Sequence, residues 1–367
     1  MDFDIDRLIR EEVKDLPIYN PGKSPEEVAR ELGVFGCVKM ASNENPLGPS
    51  PRAMEAVREE LPSAHIYPDG NSIELREALS RKLGVAAENI VVSHGADEAF
   101  DLMAFAFLGP GDEIVVGDPT FTSYELAALT MGAAVVKVPL RDYRQDIPAM
   151  LAAAGERTKY VVLCTPINPT GTTVSRHELE EMLESLPPNV LLVLDEAYVE
   201  YVTDPDHPDA LAYLAGQPRL VVARTFSKVY GLAGLRVGYV ITSLPVRDAL
   251  EKVKLPFNVN RLGQVAALAA LDDEEHVARS RELNERGKER LYRVLEETGF
   301  AYIPTQANFI LVNNGAYPDL FERLIANCVI VRAGEAIGVP GHVRITIGDD
   351  AQNDMLERAL RAITGGG

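Results

Sequence analysis

From Asn89 to Ile241 the chain alternates short apolar runs with longer stretches whose apolar residues recur at helical spacing. The runs are Ile90-Val91-Val92, Glu113 to Val116, Ala134 to Val138, Tyr160 to Leu163, Val190 to Leu194, Leu220 to Val222 and Val237 to Ile241. Their apolar residues are mostly consecutive rather than alternate, which predicts strands buried on both faces, as when helices cover a sheet on each side. Seven such runs predict an α/β fold built on a large, mainly parallel seven-stranded sheet. Ser24-Pro25-Glu26-Glu27 and Ser50-Pro51 each offer an N-cap followed by proline at the first helical position, which predicts two helices ahead of that sheet.

Beyond Pro256 the character changes. Leu262 to Leu271 and Glu275 to Thr298 predict long helices, and the charge density of the second predicts a solvent-facing connector, with a domain boundary near residue 272. Three further runs, Phe309 to Val312, Val329 to Val331 and Val343 to Ile347, have a helical stretch between the first two and another at the end. They predict a smaller α+β domain. The expected division is 37–271 for the large domain and 1–36 with 272–367 for the small one.

Composition narrows the function classes. A chain of 367 residues exceeds the ~150 residues of one ordinary domain, and 46% apolar with 25% charged residues marks a folded globular protein. A net charge of −19 disfavours nucleic acid as a partner. Cys37, Cys164 and Cys328 are odd in number and lack zinc-like spacing, so neither a disulfide framework nor a metal site is expected; they read as buried small hydrophobes. The acidic start Met1-Asp2-Phe3-Asp4-Ile5-Asp6 cannot serve as a secretory signal, and no stretch approaches the ~18 apolar residues of a membrane span. The expected location is cytoplasmic. His177-Glu178-Leu179-Glu180-Glu181 lacks the second histidine of a zinc helix, and the glycine motifs of dinucleotide, nucleotide-triphosphate and serine-hydrolase sites are absent.

In an open α/β sheet, ligands gather beyond the carboxyl ends of the strands. There this chain places Cys164-Thr165-Pro166-Ile167-Asn168-Pro169-Thr170-Gly171, Asp195-Glu196-Ala197-Tyr198 and Ala223-Arg224-Thr225-Phe226-Ser227-Lys228. Singly, each has an ordinary reading: Asp-Glu-Ala-Tyr as a solvated turn, Asn-Pro-Thr-Gly as a turn, Lys228 as a surface lysine. In order they are more telling. Ser42-Asn43-Glu44-Asn45-Pro46, Gly95-Ala96-Asp97-Glu98, Asn168-Pro169-Thr170-Gly171, Asp195-Glu196-Ala197-Tyr198 and Thr225-Phe226-Ser227-Lys228, with Gly231-Leu232-Ala233-Gly234-Leu235-Arg236-Val237-Gly238-Tyr239, resemble the fold type I aminotransferases that use pyridoxal 5′-phosphate. Within that superfamily the chain looks like the histidinol-phosphate aminotransferases, and the resemblance is most specific from Lys228 to Tyr239.

The resemblance implies roles that the residue types suit. Lys228 is the Schiff-base lysine, which also moves the proton during catalysis. Asp195 pairs with the pyridine nitrogen and keeps it protonated, while Tyr198 and Asn168 hydrogen-bond the ring's phenolic oxygen. If both side chains are to reach one ring, the backbone must turn between Asp195 and Tyr198. Gly95, Ala96 and Asp97 open a helix onto the phosphate, joined by Thr225, Ser227 and Arg236. Read alone, Gly95 is equally a plain helix entry. Phe121 lies on a ring face, with core filler as its competing reading. Tyr67 reaches the phosphate from a partner subunit, which implies a homodimer. Arg344 takes the glutamate carboxylate or the histidinol phosphate group, assisted by Arg332, whose plainer reading is a surface salt bridge. Asn43 also contacts substrate, and Tyr19 closes over the site.

The implied reaction exchanges an amino group between histidinol phosphate and 2-oxoglutarate in ping-pong half-reactions, a step of histidine biosynthesis. Three rivals stay open: an aromatic amino-acid aminotransferase of the same fold, a pyridoxal-phosphate-dependent decarboxylase of a phosphorylated amino acid, and a non-catalytic protein of this fold.

Overall fold

The computed structural model describes residues 3–14, 16–18, 27, 30 and 36–365. Its strands in chain order are β1 (Val38–Lys39), β2 (Ile90–Ser93), β3 (Glu113–Asp118), β4 (Ala134–Pro139), β5 (Thr158–Cys164), β6 (Leu191–Asp195), β7 (Leu220–Thr225) and β8 (Gly238–Thr242), then β9 (Tyr302–Ile303), β10 (Phe309–Asn313), β11 (Val329–Ile330), β12 (Arg332–Ala333) and β13 (His342–Thr346). The seven apolar runs form one sheet in the order β2-β8-β7-β6-β5-β3-β4. All neighbours are parallel except β8, which runs antiparallel to both β2 and β7.

The non-alternating runs have a direct cause. Ile114 and Val116 of β3 enter the cluster that holds Phe100 and Met103, whereas Val115 enters the opposite one with Met150 and Leu179. Helices Gly95–Phe107, Ser123–Thr130 and Leu244–Val253 cover the first face, and Ile147–Ala153 and Arg176–Ser185 cover the second. Each fully buried Val, Leu or Ile contributes about 1.5–3 kcal/mol. The Ser50 side chain caps helix Pro51–Glu60 by accepting from Ala53 N at 3.2 Å, as its sequence predicts; of the helix expected from Ser24 only Glu27 and Arg30 are among the described residues, and both are helical.

The C-terminal part departs from expectation at two points. Helix Glu274–Thr298 is amphipathic rather than a solvated connector. His276, Ser280, Leu283, Asn284, Gly287, Lys288, Leu291, Val294 and Leu295 form a buried stripe at helical spacing. Several of these are polar, which hides the stripe from a hydrophobicity reading: Ser280 Oγ takes the Asn45 amide at 2.8 Å, and the Asn284 amide donates to Ala307 O at 3.2 Å. Secondly, the run Val329 to Val331 divides. β11 pairs with β1, while β12 joins the four-stranded sheet β12-β13-β10-β9.

Candidate active site

The β-strand carboxyl ends open onto a cavity of about 300 Å³. Lys228, Asp195, Tyr198, Asn168 and Phe121 line it from the seven-stranded sheet, and Arg332 and Arg344 line it from the smaller sheet. Asn43, Ala96, Asp97, Thr225, Ser227 and Arg236 complete the set of expected residues found there.

At the end of β6 the chain turns over Ala197-Tyr198, with Val199 N donating to Glu196 O at 3.1 Å. The required turn is therefore present, and Asp195 and Tyr198 face the same cavity. Burial pushes the Asp195 carboxyl up to about 6, opposed by hydrogen bonds from the Tyr124 hydroxyl and from Ala197 N at 3.0 Å. Tyr124 was not among the expected site residues, although it ends the motif Asp118-Pro119-Thr120-Phe121-Thr122-Ser123-Tyr124. Its ring is buried edge-on against Phe100 and Phe121, at 4.6 and 5.7 Å between centroids. Beside it, the Ser123 hydroxyl donates to Asp97 Oδ1 at 2.9 Å.

Lys228 is half-buried, with Nζ 3.4 Å from Ser42 O and 5.4 Å from the Tyr198 ring centroid. Burial first, then the positive charge of Arg344, brings its amine down to about 8. Burial pushes the Tyr198 phenol above its ordinary range, against the pull of Arg344 and of the Asn43 amide, which donates to its oxygen at 3.0 Å. Asn43 itself has a left-handed φ of 57°, and its side-chain oxygen accepts from Thr346 Oγ1 at 3.1 Å. Asn43 thus lines the cavity and also holds the Tyr198 hydroxyl.

The phosphate end is built from close approaches. Gly95 begins helix Gly95–Phe107 with φ 73°, and a Cβ there would lie 2.6 Å from Arg236 Nη2. A Cβ on Gly238 would lie 2.6 Å from the Gly95 carbonyl carbon. Glycine at both places lets β8, the helix entry and Arg236 converge. Arg236 also has a left-handed φ of 54°, an uncommon state for a side chain that costs roughly 1–2 kcal/mol. Its guanidinium reaches Asp97 Oδ2 at 2.9 Å and Ser227 Oγ at 3.4 Å. An ionised carboxylate only accepts hydrogen bonds, so the Asp97 side chain orients Arg236, and only its backbone N–H can serve an anion. The first-turn N–H groups, two hydroxyls and a guanidinium are donors of the kind that suits a phosphate dianion. With an acid facing a phenol and an amide, and an amine held near 8, the cavity fits pyridoxal 5′-phosphate.

Arg332 and Arg344 are directly opposed on antiparallel β12 and β13, so both project from one sheet face. Arg344 is buried; Nη1 donates to Asn168 Oδ1 at 2.5 Å, Nη2 donates to Ala41 O at 2.7 Å, and the group stands 5.3 Å from the Phe309 ring centroid. Tyr67 does not line the cavity: it is 75% exposed and stacked on Phe257 at 4.7 Å. Tyr19 lies outside the described residues. Among the described residues no acidic, histidine or cysteine cluster could hold a metal ion, and no helix is long and apolar enough to cross a membrane.

Residues 36–363 match the aminotransferase class I and II family, and the chain belongs to that family. It is a transaminase whose cofactor is pyridoxal 5′-phosphate. Among curated proteins it is 50% identical to the histidinol-phosphate aminotransferase of Moorella thermoacetica, covering 96% of this chain and 92% of that one. It is 44% identical to the Brevibacillus brevis protein of that description, over 97% and 98% of the two chains. Among solved structures, the Sinorhizobium meliloti histidinol-phosphate aminotransferase in complex with pyridoxal 5′-phosphate superimposes with a TM-score of 0.90 at 28% identity, covering 97% of each chain.

Proposed function

We propose that this transaminase exchanges an amino group between histidinol phosphate and 2-oxoglutarate, giving imidazole-acetol phosphate and glutamate. The observation that carries the reading is the opposed pair Arg332 and Arg344 on the wall that shares the cavity with Lys228. A bidentate guanidinium suits both the carboxylate of one substrate and the phosphate of the other, so one pocket can serve two half-reactions. The names of the curated relatives support the same substrate pair.

The bound cofactor supplies an electron-accepting ring and the carbon that carries the amino group between substrates. Lys228 anchors that group and holds or releases a proton at Nζ, for which an amine near 8 is suited at neutral pH. Asp195 presents a carboxylate to the ring nitrogen. Tyr198 and Asn168 present hydrogen bonds to the ring oxygen. Ser227, Thr225, Arg236 and the N–H groups of Ala96 and Asp97 hold the phosphate, and Phe121 supports the ring plane.

This reading includes a homodimer in the cytoplasm. Tyr67 is too exposed to serve its own cavity, which supports its action across a dimer interface. It also includes a division into a large domain of 37–271 and a small domain of 1–36 with 272–367; Asp272 and Asp273 separate two helices at that division.

The test is the visible absorbance of the cofactor-loaded protein before and after glutamate and, in a separate sample, before and after histidinol phosphate, beside Lys228→Ala. The expected result is conversion of the cofactor by both substrates, and no lysine-bound spectrum in the variant. Conversion by glutamate and phenylalanine but not histidinol phosphate would replace the proposed substrate with an aromatic one. Carbon dioxide release without need for 2-oxoglutarate would indicate a decarboxylase.

A further inference from the structure

Cys37 and Cys328 meet at the outer end of the segment that builds one wall of the cavity. β1 and β11 run parallel in register, Val38 opposite Val329 and Lys39 opposite Ile330, and Val38 N donates to Cys328 O at 2.9 Å. The residues just before the two strands are therefore lateral neighbours. Neighbouring strands stand about 4.8 Å apart, inside the ~4.4–6.8 Å between Cα atoms that a disulfide spans. Cys328 holds a left-handed φ of 61°, a conformation uncommon for a residue with a Cβ. Burial, and then a hydrogen bond with and the charge of Cys328, push the Cys37 thiol up to about 11. The strand register thus sets the two cysteines side by side. Both residues are half-buried and open to small reagents, whereas Cys164 is buried. The expectation of three buried cysteines holds only for Cys164.

We propose that Cys37 and Cys328 form a reversible intramolecular disulfide, with a peroxide or a low-molecular-weight disulfide as oxidant. With peroxide, one thiolate attacks oxygen, the O–O bond breaks and water departs, leaving a sulfenic acid. The second sulfur then attacks the first, the S–O bond breaks, a second water departs and the S–S bond forms. Two electrons pass from the thiols to the peroxide. Either sulfur can make the first attack, and the other resolves it.

The bond would act on the site through the chain that follows Cys37. Met40 N donates to Ile330 O at 2.7 Å, Met40 O accepts from Thr346 N at 2.8 Å, and Ala41 O holds Arg344. A covalent tie at Cys37 fixes this segment against β11 and limits its local opening. In a reducing compartment such a bond is transient and responsive rather than structural.

The experiment treats the reduced protein with a few equivalents of hydrogen peroxide, or with oxidised glutathione, then alkylates it and maps it by mass spectrometry without reductant. The expected product is one cross-linked peptide pair containing Cys37 and Cys328 within a single chain. It should lack two hydrogens, revert with dithiothreitol and leave Cys164 alkylated only after unfolding. The Tm should rise on oxidation and return on reduction, and Cys328→Ser should show neither the cross-link nor the rise. Full alkylation of both cysteines after an oxidant dose that closes a model dithiol peptide would overturn the proposal. So would a cross-link that uses Cys164 or joins two chains. The mapping of the unsubstituted protein decides the matter even where a variant folds poorly.

Discussion

Tyr124→Phe isolates one hydrogen bond on the carboxylate assigned to the cofactor's ring nitrogen. The ring stays, so its edge-on contacts with Phe100 and Phe121 persist, and only the hydroxyl that donates to Asp195 Oδ2 is lost. A hydrogen bond to a charged group contributes about 1.5–3 kcal/mol, and about 1.4 kcal/mol corresponds to one pKa unit. The hydroxyl favours the ionised form of Asp195, so its loss raises a carboxyl already held at about 6 by burial. The acid limb of cofactor affinity against pH should move upward by about one to two units. At pH 7 the unsubstituted protein keeps Asp195 about nine-tenths ionised, while the variant keeps about half or less. The assay is equilibrium dialysis of pyridoxal 5′-phosphate across pH 5–9 for the unsubstituted protein, Tyr124→Phe, Asp195→Asn and the double variant. An unmoved acid limb in Tyr124→Phe would refute the reasoning. So would an equal shift when the change is made in the Asp195→Asn background, where no charge remains to be tuned.

Three further outcomes follow from the same geometry. In Gly238→Ala the new methyl meets the Gly95 carbonyl carbon at 2.6 Å and Ala96 N at 2.8 Å, and overpacking of this kind costs about 1–3 kcal/mol. Cofactor affinity, read by dialysis, should fall roughly five- to a hundred-fold while the far-UV spectrum holds. Arg224→Met removes the guanidinium that holds buried Glu196 Oε2 at 2.8 and 2.7 Å, and urea unfolding should show a loss of about 3–5 kcal/mol, because the carboxylate is left unpaired. Burial raises Glu200 to about 7, so its stabilising contribution is full below the ordinary carboxyl range and is lost as pH rises through about 7. The Tm of cofactor-free protein should therefore fall less between pH 5 and 8 in Glu200→Gln; His207, lowered chiefly by burial, contributes the opposite slope in both proteins and cancels in the comparison.

The large sheet was legible because its strands are local signals. A run such as Tyr160 to Leu163 needs no distant residue to read as a doubly covered strand, and all seven runs became strands of one sheet. The smaller sheet was less legible for the converse reason. Val329 to Val331 looks like one strand, yet Ile330 pairs with Lys39 while Arg332 pairs with Arg344, and nothing nearby in the chain specifies that exchange of partners. Helix Glu274–Thr298 was misread because its buried stripe carries Lys288 and also Ser280 and Asn284, whose polarity is offset by partners distant in sequence, Asn45 and Ala307.

The same distinction divides the candidate site. The end assigned to the phosphate comes from segments that are each continuous in sequence, Gly95 to Asp97 and Thr225 to Gly238, so the family resemblance could pick them out. What sequence alone did not reveal there is the division of labour, in which the Asp97 side chain binds Arg236 and Ser123 rather than an anion. The substrate end depends on contacts between residues far apart: Arg344 with Asn168, Asn43 with Tyr198, and Thr346 with Asn43. The first two join the smaller sheet and the segment after β1 to the carboxyl ends of the large sheet, and the third joins the smaller sheet to that segment. A shift of that segment would therefore alter the Asn43 bond to Tyr198 and the Ala41 bond to Arg344 together. The residues proposed for ring and anion recognition, Tyr198 and Arg344, are thus linked through Ala41 to Asn43, the stretch that the Cys37–Cys328 pair would tether.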